Sequence, residues 1–294
     1  MATNEPKVWL ITGCSAGFGK EVALAALKRG DKVIATARNA DKLAELRDAG
    51  AHALALDVTS PLPELQALAD EAIKVYGQVD ILVNNAGYLL AGAVEETTPE
   101  QTLAQFDTNV LGLLNVTRVF LPHMRERKTG VIALIGSVGG WVSYPGCGIY
   151  CSTKFTLEGL AEALHAELAP LGIAVTVLEL GYFRTSLLNQ GSNFVVGNTT
   201  IPDYEPTAGA VLKMLREYDG KQPGDPVKAA QRTVDVLTLS GSAEGRKEIP
   251  VRLALGRDAL ELIKKKMEAS LALLEEWKDL SIGTEHDDVV KHDH

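Results

Sequence analysis

Val8-Trp9-Leu10-Ile11-Thr12-Gly13-Cys14-Ser15-Ala16-Gly17-Phe18-Gly19 opens on four apolar residues and passes at once into a turn spaced Gly-x3-Gly-x-Gly. A short apolar run of this kind predicts a strand buried on both faces, and the Ala- and Leu-rich pattern of 20–29, stopped by Gly30, predicts a helix. Strand, glycine-rich turn and helix in that order form a phosphate-binding unit. The glycines let the backbone approach a pyrophosphate, and the helix N-terminus adds N–H donors and the positive end of a dipole. Gly13, Ser15, Gly17, Phe18 and Gly19 are therefore candidate dinucleotide-binding residues.

The same alternation continues outward from this unit. Buried strands are predicted at 32–38, 53–57, 81–83, 131–135 and 173–178, with a last one near 250–253. Helices are predicted at 40–48, 61–77, 99–127, 150–170, 207–218, 227–239 and 258–278. This order specifies an α/β chain: a doubly wound parallel sheet of about seven strands, Rossmann-like, with helices on both faces and a single domain over 1–283. Ligands of such a sheet sit at the carboxyl ends of its strands. The irregular stretch 182–226 is expected to bind substrate as a mobile lid, and 284–294 to form a polar, disordered tail.

With 294 residues, 46% of them hydrophobic, the chain can bury one large core. A net charge of −9 denies nucleic acid or an anionic membrane the positive face each needs, so neither partner is expected. No apolar run is long enough for a membrane span, and the polar segment 1–7 lacks the apolar core of a secretory signal, so a cytoplasmic location is expected. Cys14, Cys147 and Cys151 fit neither a disulfide framework nor a zinc spacing and read as buried free thiols. No metal is expected; His286, His292 and His294 lie in the tail, without a scaffold to bring them together.

Ser137, Tyr150 and Lys154 carry the candidate chemistry. In Ile149-Tyr150-Cys151-Ser152-Thr153-Lys154 the phenol and the ammonium are four residues apart, hence on one face of a helix. A nearby ammonium favours the phenolate, so Lys154 is expected to lower the pKa of Tyr150 and fit it for proton exchange. A serine hydroxyl on a facing loop can hold a carbonyl oxygen or the alcohol it becomes. These groups supply the acid–base half of carbonyl–alcohol interconversion, and the hydride has to come from a cofactor. The second strand ends in Ala37-Arg38, with no carboxylate before Asp41. A guanidinium suits a 2′-phosphate, whereas a carboxylate would accept from a ribose diol and repel the phosphate. NADP(H) is the expected cofactor; Arg38 read simply as an exposed helix-starting residue leaves NAD(H) open.

Together, Gly13-x3-Gly17-x-Gly19, Asn84-Asn85-Ala86-Gly87, Asn109, Ser137 and Tyr150-x3-Lys154 resemble the short-chain dehydrogenase/reductase family in its compact single-domain branch, continuously over 8–185. The segments 10–15, 33–38 and 56–59, with Tyr88, look most like the group similar to 17-beta-hydroxysteroid dehydrogenases. The resemblance implies that Asp57 and Val58 hold the adenine and that Asn85, Ala86 and Gly87 line the cofactor. It implies that Asn109 holds a water in a proton relay through Lys154, whose ammonium also bonds the nicotinamide ribose. Ser137 would orient the substrate oxygen while Tyr150 exchanges its proton. Gly181 would admit the nicotinamide closely, Thr185 would bond its carboxamide, and Phe183 would stand beside it. The family's usual Pro-Gly at this turn is Leu180-Gly181 here, which is expected to loosen it. Subunits would pair through the helices at 99–127 and 150–170 as a homodimer or homotetramer.

Ser137, Val138, Trp141, Tyr144 and Tyr182 are the candidate substrate residues, with Tyr88, Leu89, Cys147, Phe183 and Phe194 as further wall. The set offers no paired Arg or Lys for a carboxylate or phosphate, so a small hydrophobic ketone or aldehyde and its alcohol fit it. A catalytically silent NADP(H) sensor on the same fold would be expected to lack Tyr150 or Lys154, and both are present. A sugar-nucleotide epimerase or dehydratase would need a glycine at Ala16 and a larger C-terminal domain.

Overall fold

A computed structural model describes residues 6–189 and 193–286. In chain order the first elements are β1 (Val8–Ile11), α1 (Gly17–Arg29), β2 (Lys32–Ala37), α2 (Ala44–Asp48), β3 (His52–Ala55), α3 (Leu62–Tyr76), β4 (Ile81–Asn84) and β5 (Leu89–Ala91). Then come α4 (Pro99–Phe106), α5 (Leu113–Arg127), β6 (Gly130–Ile135), α6 (Gly148–Leu168), β7 (Ile173–Leu180) and β8 (Phe194–Val196). The chain continues with α7 (Ala210–Tyr218), α8 (Pro226–Leu237), β9 (Arg252–Leu255), α9 (Arg257–Glu276) and the one-turn α10 (Lys278–Ser281).

Seven strands form one sheet in the order β3-β2-β1-β4-β6-β7-β9, and every neighbouring pair is parallel. The chain winds outward from β1 to β3, crosses back through α3, and builds the other half from β4. Trp9 of β1 therefore pairs with Val33 on one side and Ile81 on the other. At this switch point the loops leaving β1 and β4 diverge, which opens a crevice at the carboxyl ends of the strands. The fold is the doubly wound, Rossmann-like single domain that the apolar runs predict.

Successive residues of a strand point to opposite faces, so each strand feeds two cores. Leu10, Ile34, Leu82, Ile132 and Val175 pack with Leu65 of α3, Phe120 and Met124 of α5, and Leu157 of α6. Trp9, Ile11, Val33, Val83 and Ala133 pack on the other face with Val22 and Ala26 of α1 and with Ala230 and Val234 of α8. Burial on both sides is the reason these strands carry unbroken apolar runs instead of an alternating pattern.

Two features depart from the sequence pattern. The stretch 99–127 is not one regular helix, because Asp107–Gly112 winds as a π-helical turn between α4 and α5. That wider turn places buried Gln105 and Asn109 against the backbone of 88–90. Gln105 accepts from the Leu90 N–H (2.7 Å) and donates to the Tyr88 carbonyl (2.9 Å). Gly112 lets the same helix lie on Val58, whose carbonyl oxygen would be 2.8 Å from an added Cβ. The second departure is a small parallel sheet of β5 and β8, with Leu89 opposite Phe194 and Ala91 opposite Val196. It anchors part of the 182–226 stretch to the body; residues 190–192 of that stretch lie outside the described residues. So do His292, His294 and all of the predicted tail beyond His286. No helix among the described residues is long and apolar enough to cross a membrane.

Candidate active site

The turn after β1 depends on backbone conformations that favour glycine. Gly13 has φ +72° and Gly17 φ +64°, both left-handed. A Cβ on Gly13 would also be 2.9 Å from the Cα of Ala86, so the turn is pressed against the loop after β4. Thr12 joins the two loops: its Oγ1 accepts from the N–H groups of Asn85 (3.0 Å) and Ala86 (2.9 Å). The Asn85 amide donates back to the carbonyls of Thr12 (2.8 Å) and Gly13 (3.1 Å). Gly19 lies behind this joint, where a side chain would collide with that of Asn85. It supports the turn and does not line the cleft.

No side chain caps α1 at Ala16, so the N–H groups of its first turn are available to a ligand. They border a cleft of about 550 Å³ with Gly13, Ser15, Gly17 and Phe18 on its wall. Arg38 closes one end beside Asp57 and Val58; it is exposed and in no ion pair among the described residues. Asp57 is held in place by accepting from the Thr59 N–H (3.0 Å) and hydroxyl (2.8 Å). Asn85, Ala86 and Gly87 line the middle, and Gly181, Phe183 and Thr185 the far side. A larger hollow, about 830 Å³ beside Arg232, Arg246 and Pro250, holds none of the motif residues.

Ser137, Tyr150 and Lys154 meet on the wall facing the glycine turn. Lys154 donates from Nζ to the Ile135 carbonyl at 2.6 Å and stands 5.7 Å from the centre of the Tyr150 ring. Burial pulls its ammonium down to about 8, while the neighbouring Glu158 carboxylate acts the other way. Tyr150 departs from expectation. Burial pushes its phenol above the ordinary tyrosine range, and the nearby Ser137 hydroxyl offsets only part of that rise. The phenol is therefore neutral at neutral pH and ready as a proton donor.

Asn109 is 2% exposed and fully engaged. Its Oδ1 accepts from the Tyr88 N–H (3.1 Å), and its Nδ2 donates to the Tyr88 carbonyl (3.0 Å) and Thr153 Oγ1 (3.2 Å). The Thr153 hydroxyl in turn donates to the Tyr150 carbonyl at 2.7 Å. Asn109 thus braces the wall that carries the tyrosine.

The substrate candidates divide. Tyr182, Tyr88 and Leu89 line the cleft beside Ser137. Val138 does not: it is 3% exposed and packs against Ala259 and Ile263 of α9. Trp141 also turns away, donating its indole N–H to Glu179 (2.8 Å) beneath the Arg252 guanidinium. Tyr144 reaches the site only through its hydroxyl, which accepts from that of Tyr182 at 3.2 Å. Cys147 and Phe194 are buried, and burial pushes the thiols of Cys14 and Cys147 up to about 12. Leu187, Leu188, Val195, Leu215 and Tyr218 form the rest of the open end, unnamed by any motif. The apolar face of α7 is the one sequence signal that points to Leu215.

The turn at Leu180-Gly181 is not slack. Gly181 donates its N–H to the Leu255 carbonyl (2.8 Å), and Tyr182 donates its own to the Asp258 carboxylate. A side chain at Gly181 would strike that carboxylate, so the glycine makes room for Asp258 as well as for a ligand.

One turn past Lys154, Glu158 is 4% exposed, and neither of its carboxylate oxygens accepts a hydrogen bond. Arg252 lies 3.3 Å from it and 3.8 Å from Glu179, and its other nitrogen is 2.9 Å from Glu162. Burial first, then the Glu179 carboxylate, pushes the Glu158 carboxyl up to about 8, against Arg252 and Lys154. The folded chain then holds a proton that the unfolded chain releases in the ordinary carboxylate range, so stability is lost as pH rises through that interval. Glu158→Gln should reduce the fall in Tm between about pH 5 and 8 seen for the unsubstituted chain. Equal slopes for the two chains would assign the proton elsewhere.

The model of the family described as short chain dehydrogenase matches residues 7–194. Oxidoreductase BOA17 of Botryotinia fuckeliana (strain B05.10) is 38% identical over 282 residues, 95% of this chain and 99% of that protein. A crystal structure of a short-chain dehydrogenase from Streptomyces avermitilis superposes with a TM-score of 0.86 at 40% identity, over 97% of this chain and 100% of that one. A 3-ketoacyl-(acyl-carrier-protein) reductase from Brucella melitensis, complexed with NADH, matches with a TM-score of 0.70 at 27% identity over 86% and 98% of the two chains. ElxO with NADP bound matches with a TM-score of 0.70 at 25% identity over 87% and 100%. Fold, motif spacing and these likenesses agree that the chain belongs to the short-chain dehydrogenase family.

Proposed function

We propose that the chain is an NADP(H)-dependent oxidoreductase that interconverts a hydrophobic ketone or aldehyde and its alcohol. The observation that carries this reading is convergence: Ser137, Tyr150 and Lys154 face the glycine turn and the uncapped start of α1 across one cleft. The turn and the first N–H groups of α1 would hold the pyrophosphate, Asp57 and Val58 the adenine, and Asn85, Ala86 and Gly87 the middle of the cofactor. Lys154, with donors beyond the one given to Ile135, would hold the nicotinamide ribose, and Thr185 the carboxamide. The bound nicotinamide supplies or takes up the hydride. Ser137 holds the carbonyl oxygen, and Tyr150 gives that oxygen its proton in reduction or takes it back in oxidation.

The choice of NADP(H) rests on Arg38, since the bound neighbours include both NADH and NADP. Arg38→Asp should weaken NADPH roughly ten- to a hundredfold, the worth of a lost charge-assisted hydrogen bond plus a repelling carboxylate, and change NADH little. Fluorescence titration with each nucleotide reads this directly. Equal weakening of both would remove Arg38 from the 2′-phosphate.

Leu187, Leu188, Val195 and Leu215 at the open end support an apolar substrate. A panel of apolar ketones turned over with NADPH tests the whole reading, and tight NADPH binding without turnover of any of them would sink it. A cytoplasmic location accords with the three free thiols. Exposed Leu103, Leu111 and Phe155 support pairing of subunits through the helical run 99–127 and α6.

A further inference from the structure

The first turns of α9 are docked on the body: Ala259 and Ile263 pack with Val138 and Trp141. From Lys264 onward, every described residue of α9 and α10 is exposed. An apolar stripe runs from the docked turns into that free length. Leu260, Met267, Leu271 and Leu274 follow one another at steps of seven, four and three residues, which places them on one helix face, and they are 49% to 68% exposed. Trp277, 53% exposed, extends the stripe. An isolated helix of this length is marginal in water, and a contiguous apolar face marks a surface that is covered when the protein works.

The charges beside the stripe identify the cover. The free segment is basic at its start, with Lys264, Lys265 and Lys266, and mainly acidic at its end, with Glu275, Glu276 and Asp279 around Lys278. Within one chain Lys264 lies 3.8 Å from Glu268 and Glu275 3.3 Å from Lys278, all of them exposed and open to a second partner. Lys264 and Glu275 lie on the same flank of the stripe, six residues before and five residues after Ser270. Two such helices laid antiparallel about Ser270 bring Met267 of each against Leu274 of the other, and Lys264 of each beside Glu275 of the other. The pattern is thus complementary to its own reverse, as a two-fold symmetric contact requires. An anionic lipid surface would need basic residues along the whole flank, and the acidic half together with a net charge of −9 opposes it. We propose that α9 beyond Lys264 is the docking surface for the same helix of a second copy of this chain, forming an isologous antiparallel pair.

Cys14, Cys147 and Cys151 are all buried, so a cysteine placed on α9 is the accessible thiol in the full chain. Ser270→Cys sets that thiol near the two-fold axis, and Ala269→Cys sets it on the opposite side of the helix. With oxygen and copper phenanthroline as oxidant, Ser270→Cys is expected to give a disulfide-linked dimer and Ala269→Cys to remain a monomer on a denaturing gel. Adding Met267→Glu and Leu274→Glu to Ser270→Cys should abolish the cross-link while nicotinamide binding and circular dichroism stay unchanged. No cross-link at Ser270→Cys, or equal cross-linking at both positions, overturns the proposal. So does co-sedimentation of the unsubstituted chain with phosphatidylserine–phosphatidylcholine vesicles that the two glutamates abolish.

Discussion

Tyr150→Phe should bind NADPH as the unsubstituted chain does and turn over a ketone roughly two to four orders of magnitude more slowly, the usual worth of a positioned general acid. The ring packs against the cluster of Leu89, Ala91 and Phe194, contacts that phenylalanine keeps, so stability should hold. What disappears is the hydroxyl beside Ser137. Ser137 is a far weaker acid, and Lys154 gives one N–H to Ile135 and, in the proposed complex, its others to the nicotinamide ribose. Single-turnover oxidation of bound NADPH isolates the chemical step, and nucleotide titration shows whether the site survives. Undiminished turnover would remove Tyr150 from the proton transfer.

Asn109→Leu should cost about 1–2 kcal/mol of stability, because it leaves the part-buried N–H of Tyr88 without its acceptor beside a side chain of nearly the same shape. The Tyr88 carbonyl keeps its bond from Gln105, so the loss should stop short of unfolding. Turnover should fall as well, since the substitution frees Thr153 and with it the stretch of α6 that carries Tyr150. Urea denaturation of the two chains measures the first effect. An unchanged midpoint would mean that the Tyr88 backbone finds another acceptor.

What could be read in the sequence, and what could not, follows from how local each feature is. The run 8–19 specifies its own strand, turn and helix, because burial on both faces and the left-handed glycines act within a few residues. Tyr150 and Lys154 share a face by helix geometry alone. The π-turn at 107–112 leaves no such trace, since it follows from Gln105 and Asn109 reaching strand backbone elsewhere in the chain. β5 and β8 have three residues each, too few to show a period. Val138 and Trp141 lie next to Ser137 in sequence but face α9 and Glu179, partners that adjacency does not reveal. The direction of the Tyr150 shift was hidden for a related reason. The lysine is visible one turn away, whereas the apolar cluster that the ring packs against comes from β5 and β8, both distant in the chain.

Asp258 occupies a niche bounded by two glycines, Gly181 and Gly256, either of which would drive a side chain into its carboxylate. The turn entering the cleft from β7 and the start of the last long helix therefore form an interlocked pair, joined by one acid and two missing side chains. A larger residue at 181 displaces the carboxylate that holds the Tyr182 backbone, so that hydrogen bond is lost with the change. Remodelling this rim without losing that bond therefore couples replacements at positions far apart in the gene.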